Sequence, residues 1–250
     1  MGIKEFFTGI MKGISNVLQN SVVMQKLLPI LAVAIPPPWD VVAVIAVSVI
    51  SAAMGVEEKP DELGWQMNEA DKKPEDFSSF KEYKAYLDEN YPFDQEKYDY
   101  LSDEQKTMCR YVGMVGTMQE LKEAKGFELT PNALGMLVRC AAAFKWDDAQ
   151  FKAFTNGLTT SLIGAGENSF SIVESFGKGS LAPDKQDAVS NAITAGAKEA
   201  GVKQDNAAML ASIPEIDGGL IALTRFQGEI GFYPDEYLEI IRIYMTHCGK

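Results

Sequence analysis

The sequence predicts an all-α fold, a multi-helix bundle with an N-terminal amphipathic helix and an apolar helical hairpin. Three observations support this prediction. Apolar residues recur with a helical period in residues 3–22. Residues 27–56 are almost entirely apolar and are divided by three consecutive prolines. Residues 78–250 are punctuated by N-capping residues, and by glycine or proline at intervals typical of helix ends.

Residues 3–22 have the pattern of an amphipathic helix. Glycines at positions 9 and 13 weaken it, each by roughly 1 kcal/mol relative to alanine. Such a helix needs an apolar surface to lie against, which is either a membrane or a protein partner. Its apolar stripe consists of Ile3, Phe6, Phe7, Ile10, Met11, Ile14, Val17 and Leu18.

Residues 27–56 form two apolar arms on either side of Pro36, Pro37 and Pro38. As a helix, the second arm of sixteen residues would be about 24 Å long, which is shorter than the roughly 30 Å hydrocarbon core of a bilayer. Periodicity also permits a buried strand, but the length of the arm favours a helix. Three interpretations follow: a hairpin that dips into a membrane, a single kinked span, or the buried centre of a soluble core.

The hairpin interpretation makes a specific prediction about Asp40, the only charged residue in residues 27–56. Asp40 would lie at the turn beside Trp39, in water or among lipid headgroups. Residues 1–56 would then form one unit, and residues 3–56 would contact a membrane or a protein partner. The predicted contact residues are Ile3, Phe6, Phe7, Ile10, Ile14, Leu27, Leu28, Trp39, Val44 and Val47.

The negative charge of the chain is concentrated in one segment. Residues 57–104 carry sixteen acidic and six basic side chains, a net charge of −10 of the total −12. Residues 57–77, with Pro60, Gly64 and Pro74, are predicted to be an acidic connector of irregular structure. The overall charge argues against a nucleic-acid partner, because binding phosphates requires a basic face. Five tyrosines in the acidic segment are interpreted as packing residues, with a surface for a basic partner as the alternative.

Residues 78–250 are predicted to be a soluble helical domain. The Ser102 and Gln105 pair has the pattern of a capping box, and Thr130 followed by Pro131 is a typical N-cap and first helical residue. The predicted helices run from Ser78 or Ser79 to about Asn90, Ser102 to Lys125, Thr130 to Phe144, Asp147 to Ile163, Ser169 to Phe176, Pro183 to Ala200, Asp205 to Ser212, Leu220 to Gly228 and Pro234 to His247.

The sequence contains no motif for a catalytic site, a phosphate-binding loop or a metal site, so no cofactor is predicted. Three scattered cysteines fit a reducing compartment, and we expect a cytoplasmic protein that can associate with a membrane.

We therefore expect a non-enzymatic helical protein that associates with a membrane or a larger assembly through its apolar N-terminal segment. One alternative is a soluble subunit of a homo-oligomeric or multi-protein assembly, with that segment buried at the interface. Another is an enzyme whose site is assembled from scattered carboxylates. Such a site would require a concave pocket that holds at least two buried ionisable groups.

Overall fold

The computed structural model describes residues 13–177 and 181–202, and this part of the chain is helical. It contains eleven α-helices, one short 3-10 helix at Pro74–Asp76 and no β-strand, so the all-α prediction is confirmed. The helices are α1 (Asn16–Gln19), α2 (Val22–Ala34), α3 (Asp40–Ala53), α4 (Pro60–Glu69), α5 (Phe80–Asn90), α6 (Gln95–Asp99), α7 (Asp103–Lys125), α8 (Pro131–Ala143), α9 (Asp148–Gly164), α10 (Ser171–Gly177) and α11 (Pro183–Glu199).

The predicted boundaries of α5 and of α7 to α11 agree closely with the structure, whereas α6 is not among the predicted helices. Local capping sets several of these boundaries. Ser102 accepts a hydrogen bond from the backbone N–H of Gln105, whose side chain accepts one from the N–H of Ser102, and this box opens α7. Gly126 ends α7 with a φ of 63°, in the left-handed region that favours glycine. Thr130 caps α8 by accepting from the N–H of Ala133. The helices predicted beyond residue 202 lie outside the described residues.

The predicted amphipathic helix does not continue through residues 13–22. Ser15 caps the short helix α1 by accepting from the N–H of Leu18, and Ser21 caps α2 by accepting from the N–H of Met24. Each serine starts a new helix, because its side chain satisfies an N–H group that has no partner within the helix. Residues 3–12, which include Ile3, Phe6, Phe7 and Ile10, lie outside the described residues.

The two apolar arms are the helices α2 and α3, joined through the proline turn as the sequence predicts. Both helices pack against α7 and α8, and α3 also packs against α9, so their main contacts are with these helices and not with each other. The phenol of Tyr111 in α7 donates a hydrogen bond to the carbonyl oxygen of Ile35, which fixes the turn against the bundle.

Residues 57–77 are not an irregular connector, because most of them form α4 and the 3-10 helix. Pro60 is the first residue of α4, where its missing N–H costs nothing. Leu63, Trp65 and Met67 of this helix are buried. The prediction of a connector is therefore wrong for this segment, which contributes to the core.

One cluster of buried apolar side chains extends from Ile14 to Ala200 and includes members from both the apolar arms and the later helices. Two close helix crossings, each with a glycine on both helices, contribute to this packing. Gly64 of α4 lies against Gly113 of α7, and Gly157 of α9 lies against Gly196 of α11. The core therefore depends on backbones that approach each other more closely than any residue with a Cβ atom would allow.

Candidate functional site

The outer side of α3 is an uncharged surface that the core leaves partly accessible. The inner side of the helix is buried, with Ala43, Val47 and Ile50 at 0% exposure. On the outer side, Val41 is 51% exposed and Ala52 is also exposed. Val44, Ile45 and Ser48, which lie between them on the same side of the helix, are partly exposed. We call this surface the α3 face, and it consists of Val41, Val44, Ile45, Ser48 and Ala52.

Among the described residues, those predicted to contact a membrane or a partner fall into two groups. Ile14, Leu28 and Val47 are buried, with exposures of 3%, 1% and 0%, so the structure assigns them to the core and not to a contact surface. Leu27, Trp39 and Val44 are partly buried against the same core and keep some accessible area. For this second group, the contact with a partner stays a prediction.

Asp40 lies in the core and not in water or headgroups, so the prediction for this residue is wrong. Its side chain is 2% exposed, and Oδ2 accepts a hydrogen bond of 2.5 Å from Nε of Arg110. Nη2 of Arg110 also donates to Oγ1 of Thr107 at 2.9 Å. The carboxylate is stable in this position because an oppositely charged, hydrogen-bonded guanidinium compensates for its loss of water.

A second carboxylate, Asp61 at the start of α4, lies near the Asp40–Arg110 pair. Burial raises the pKa of Asp61, and this effect outweighs the attraction of Arg110 and a hydrogen bond from Tyr98, both of which lower it. One carboxylate oxygen of Asp61 is buried without a hydrogen-bond partner. The pair and Asp61 together bring charged groups from α3, α4 and α7 into one cluster.

An acidic cleft lies between α4, α5 and α7. It consists of two neighbouring depressions of about 560 and 380 Å³ that share Lys84 and Asp88 in their walls. Lys84 forms an ion pair with Glu58, and its Nζ atom lies 3.9 Å from Oε1 of Glu120. The carboxylates in its walls are Glu57, Glu58, Glu62, Asp88, Glu120 and Glu123.

The cleft bears on the hypothesis of an enzyme with scattered carboxylates. The side chains of Glu58 and Glu120 are 6% and 15% exposed, and burial raises the pKa of Glu120. The cleft therefore holds one buried and one partly buried carboxylate, whereas the hypothesis requires two buried ionisable groups. Lys84 contacts both carboxylates, and ion-pair networks that stabilise a fold have the same arrangement. The enzyme hypothesis stays a prediction.

The tyrosines of the acidic segment differ in their surroundings. Tyr83 is fully buried and its phenol donates to the carbonyl oxygen of Lys72 at 3.2 Å, as the packing interpretation predicts. Tyr86 packs against Phe77 with a distance of 5.1 Å between ring centroids. Tyr100 is 86% exposed at the end of α6 and has no packing role of this kind.

The described residues offer little for metal or thiol chemistry. No group of three or more His, Cys, Asp or Glu side chains among them is arranged to hold a metal ion. Cys109 and Cys140 are buried, and burial raises the pKa of each thiol to about 12. A thiol with such a pKa is inert at neutral pH, because the thiolate is the reactive form.

The helices of residues 13–177 and 181–202 include none that combines the length and the apolar character needed to cross a membrane. Comparisons of the chain with protein-family models, with curated proteins and with solved structures gave no match. The function must therefore be inferred from the surfaces described above.

Proposed function

We propose that this protein is a non-enzymatic helical interaction protein that associates with a second copy of itself through the α3 face. The observation that carries the proposal is the accessible outer side of α3, which has no charged residue after Asp40. Val41 is half exposed there, and β-branched residues with Ser48 and Ala52 continue the surface along the helix. The free energy falls when a partner removes an uncharged helix surface of this kind from water.

The charge distribution favours a protein partner over a membrane. Helices that lie on membranes usually pair their apolar side with Lys and Arg residues, which attract anionic headgroups. α3 has no basic residue, and the chain as a whole has a net charge of −12. The net negative charge of the chain therefore does not favour association with an anionic membrane.

A second copy fits the α3 face because the surface is uncharged. In a twofold symmetric dimer the same patch meets itself, so any charge in the patch would meet an identical charge. The α3 face avoids this repulsion, whereas the acidic segment cannot. Its small and β-branched side chains also permit two helices to approach closely.

The experiment measures the oligomeric state of the full chain without lipid, by sedimentation velocity over a range of concentrations. We expect a dimer that Val41→Asp weakens, because the substitution would place a carboxylate opposite its own copy. Val22→Asp is the matched control, since Val22 is 50% exposed but belongs to α2. Circular dichroism verifies that both variants keep their helical content.

Three results would contradict the proposal. One is a monomer at all concentrations, and another is a dimer that Val41→Asp and Val22→Asp weaken equally. The third is a monomer that binds liposomes of neutral or anionic lipid in a flotation assay and loses this binding in Val41→Asp. That result would assign the α3 face to a membrane.

A second candidate function is the binding of a cationic ligand in the acidic cleft. Six carboxylates line the cleft against three lysines, Lys59, Lys81 and Lys84. Lys59 is paired with Glu62 at 2.7 Å, and Lys84 is paired with Glu58. The remaining carboxylates give the cleft a negative field that would attract a lysine- or arginine-rich segment.

The probe for this candidate is an oligolysine peptide titrated against the full chain by calorimetry at two salt concentrations. Binding should weaken with salt and in the double variant Asp88→Asn and Glu123→Gln, which removes two charges from the cleft walls. Glu96→Gln and Asp99→Asn form a control that removes two exposed charges from α6. Equal weakening in both double variants would show attraction by overall charge without a site.

A further inference from the structure

Two aromatic rings in the acidic segment lie against the ammonium group of Lys72. Phe77 follows the 3-10 helix and Tyr86 belongs to α5, with 5.1 Å between their ring centroids and 40° between their planes. Nζ of Lys72 lies 4.7 Å from the centroid of Tyr86 and 5.8 Å from that of Phe77. A cation within about 6 Å of a ring centroid is attracted to the negative face of the ring. The two rings therefore form the walls of a site for an ammonium group, which we call the aromatic site.

A carboxylate adds negative charge to the aromatic site. The phenol of Tyr86 donates a hydrogen bond to Oδ1 of Asp71, and the pKa of Asp71 lies below its usual value mainly because of this bond. Asp71 is therefore ionised at neutral pH. The site also lies within residues 57–104, which carry a net charge of −10 and attract cations from solution. Two ring faces and a negative charge beside them favour an organic cation over a neutral ligand.

The side chain of Lys72 can leave the aromatic site while its backbone stays in place. The carbonyl oxygen of Lys72 accepts a hydrogen bond from the phenol of Tyr83 at 3.2 Å. The N–H of the preceding residue, Asp71, donates one to the phenolic oxygen of Tyr91 at 3.3 Å. Lys72 itself is exposed, and a primary ammonium is strongly hydrated in water. Rotation of its side chain therefore uncovers the two ring faces without disturbing either hydrogen bond.

A quaternary ammonium group fits the aromatic site better than a primary one does. A primary ammonium has three N–H donors, and aromatic faces replace its hydrogen bonds to water poorly. A quaternary ammonium has no donor to satisfy, and its methyl groups bury apolar surface against the rings.

We propose that Phe77, Tyr86 and Asp71 bind a quaternary ammonium group, and that Lys72 occupies their site until such a ligand displaces it. None of these four residues lies in the α3 face or in the walls of the acidic cleft. The site is therefore independent of both of those surfaces.

Choline is the probe, titrated against the full chain and followed by the proton NMR signal of its methyl groups. Protons above a ring face move upfield, so binding should give an upfield shift that saturates. The control ligand is the neutral analogue of choline in which a tert-butyl group replaces the trimethylammonium group. It has the same shape without the charge and should bind about five- to thirtyfold more weakly, the range that a cation–π contact supplies.

Lys72→Ala removes the internal competitor and should strengthen choline binding about five- to thirtyfold. Lys81→Ala is the matched control, because it removes an exposed lysine from α5 and leaves the aromatic site intact. It should change the affinity only slightly, through long-range charge. Tyr86→Leu should weaken binding, whereas Tyr86→Phe keeps the ring and should keep most of the affinity. Circular dichroism verifies the helical content of each variant.

The proposal is overturned if choline gives no saturable shift, or if choline and its neutral analogue bind equally. It is also overturned if Lys72→Ala and Lys81→Ala change the affinity equally. The comparison of the two lysine variants decides the question even if Tyr86→Leu fails to fold.

Flotation with phosphatidylcholine vesicles distinguishes the two sources of the quaternary ammonium group. Flotation that Lys72→Ala strengthens and Lys81→Ala does not would identify a lipid headgroup as the ligand. Binding of choline without flotation would identify a free ligand in solution. Val41→Asp should leave both results unchanged, because Val41 belongs to the α3 face.

Discussion

The crossing of α4 and α7 gives the most direct test of the packing described above, through Gly113→Ala. A Cβ atom on Gly113 would lie 1.7 Å from the carbonyl oxygen of Pro60 and 2.9 Å from the nitrogen of Gly64. Both obstacles are backbone atoms of α4, so no rotamer change can relieve the contact. The two helices must move apart, and Leu63 and Met67 would lose part of their burial.

The expected effect is the difference between two opposing terms. Alanine is favoured over glycine within a helix by about 1 kcal/mol. Overpacking of a tight interior costs about 1–3 kcal/mol, and a backbone obstacle places Gly113 at the upper end of that range. We therefore expect the free energy of unfolding to fall by roughly 2 kcal/mol.

Urea denaturation followed by circular dichroism measures this difference. The matched control is Gly164→Ala at the end of α9, where an added Cβ would meet nothing within 4 Å. The control should be neutral or stabilised by up to about 1 kcal/mol. If Gly113→Ala proves as stable as the control, then α4 and α7 do not cross as closely as described.

Three further substitutions test other parts of the fold. Asp40→Leu leaves Arg110 without its buried carboxylate and should cost about 3–5 kcal/mol; an unchanged melting temperature would disprove the ion pair. Val47→Asp buries an unpaired charge at 0% exposure and should abolish folding, whereas retained helicity by circular dichroism would place Val47 outside the core. Gly126→Ala should cost only about 1 kcal/mol in the urea assay, because its φ of 63° strains alanine while the space around it is open; a loss as large as that of Gly113→Ala would contradict this.

Much of the fold could be predicted because the ends of many helices are determined locally. Ser79, Ser102, Thr130 and Asp147 each accept a hydrogen bond from a backbone N–H three residues later. The sequence predicts a helix start at each of them, with Ser78 as the alternative to Ser79. These interactions need no tertiary contact. They are therefore visible in a single sequence.

The sequence does not predict α4, because Pro60 and Gly64 are residue types that usually interrupt helices. Pro60 occupies the first helical position, and Asp61 and Glu62 follow it in the first turn, where carboxylates interact favourably with the helix dipole. A proline followed by two acidic residues is therefore the sequence pattern that indicates the start of α4. Gly64 belongs to α4 because the backbone of α7 at Gly113 lies too close to leave room for a Cβ atom at position 64. No local sequence pattern reveals this long-range contact.

The position of Asp40 could not be predicted because its partner, Arg110, is 70 residues away in the sequence. An isolated charge in an apolar segment suggests a turn in water when its partner is unknown. Val47 and Val44 present the same problem, because the sequence pattern predicts both as contact residues. The structure separates them, since Val47 points into the core and Val44 is partly exposed on the α3 face.

α3 is apolar on two sides, one that faces the core and one that faces outwards, and each side needs its own explanation. The inner surface is explained by the core, which buries Ala43, Val47 and Ile50 completely. The core does not explain why the outer surface is also uncharged, because a helix at the surface of a bundle usually has polar residues on its outer side. The ion pair of Asp40 with Arg110 fixes the start of α3 in the bundle and so leaves Val41 directed towards solvent. The proposed self-association depends on this outer surface, because the core accounts for the inner one alone.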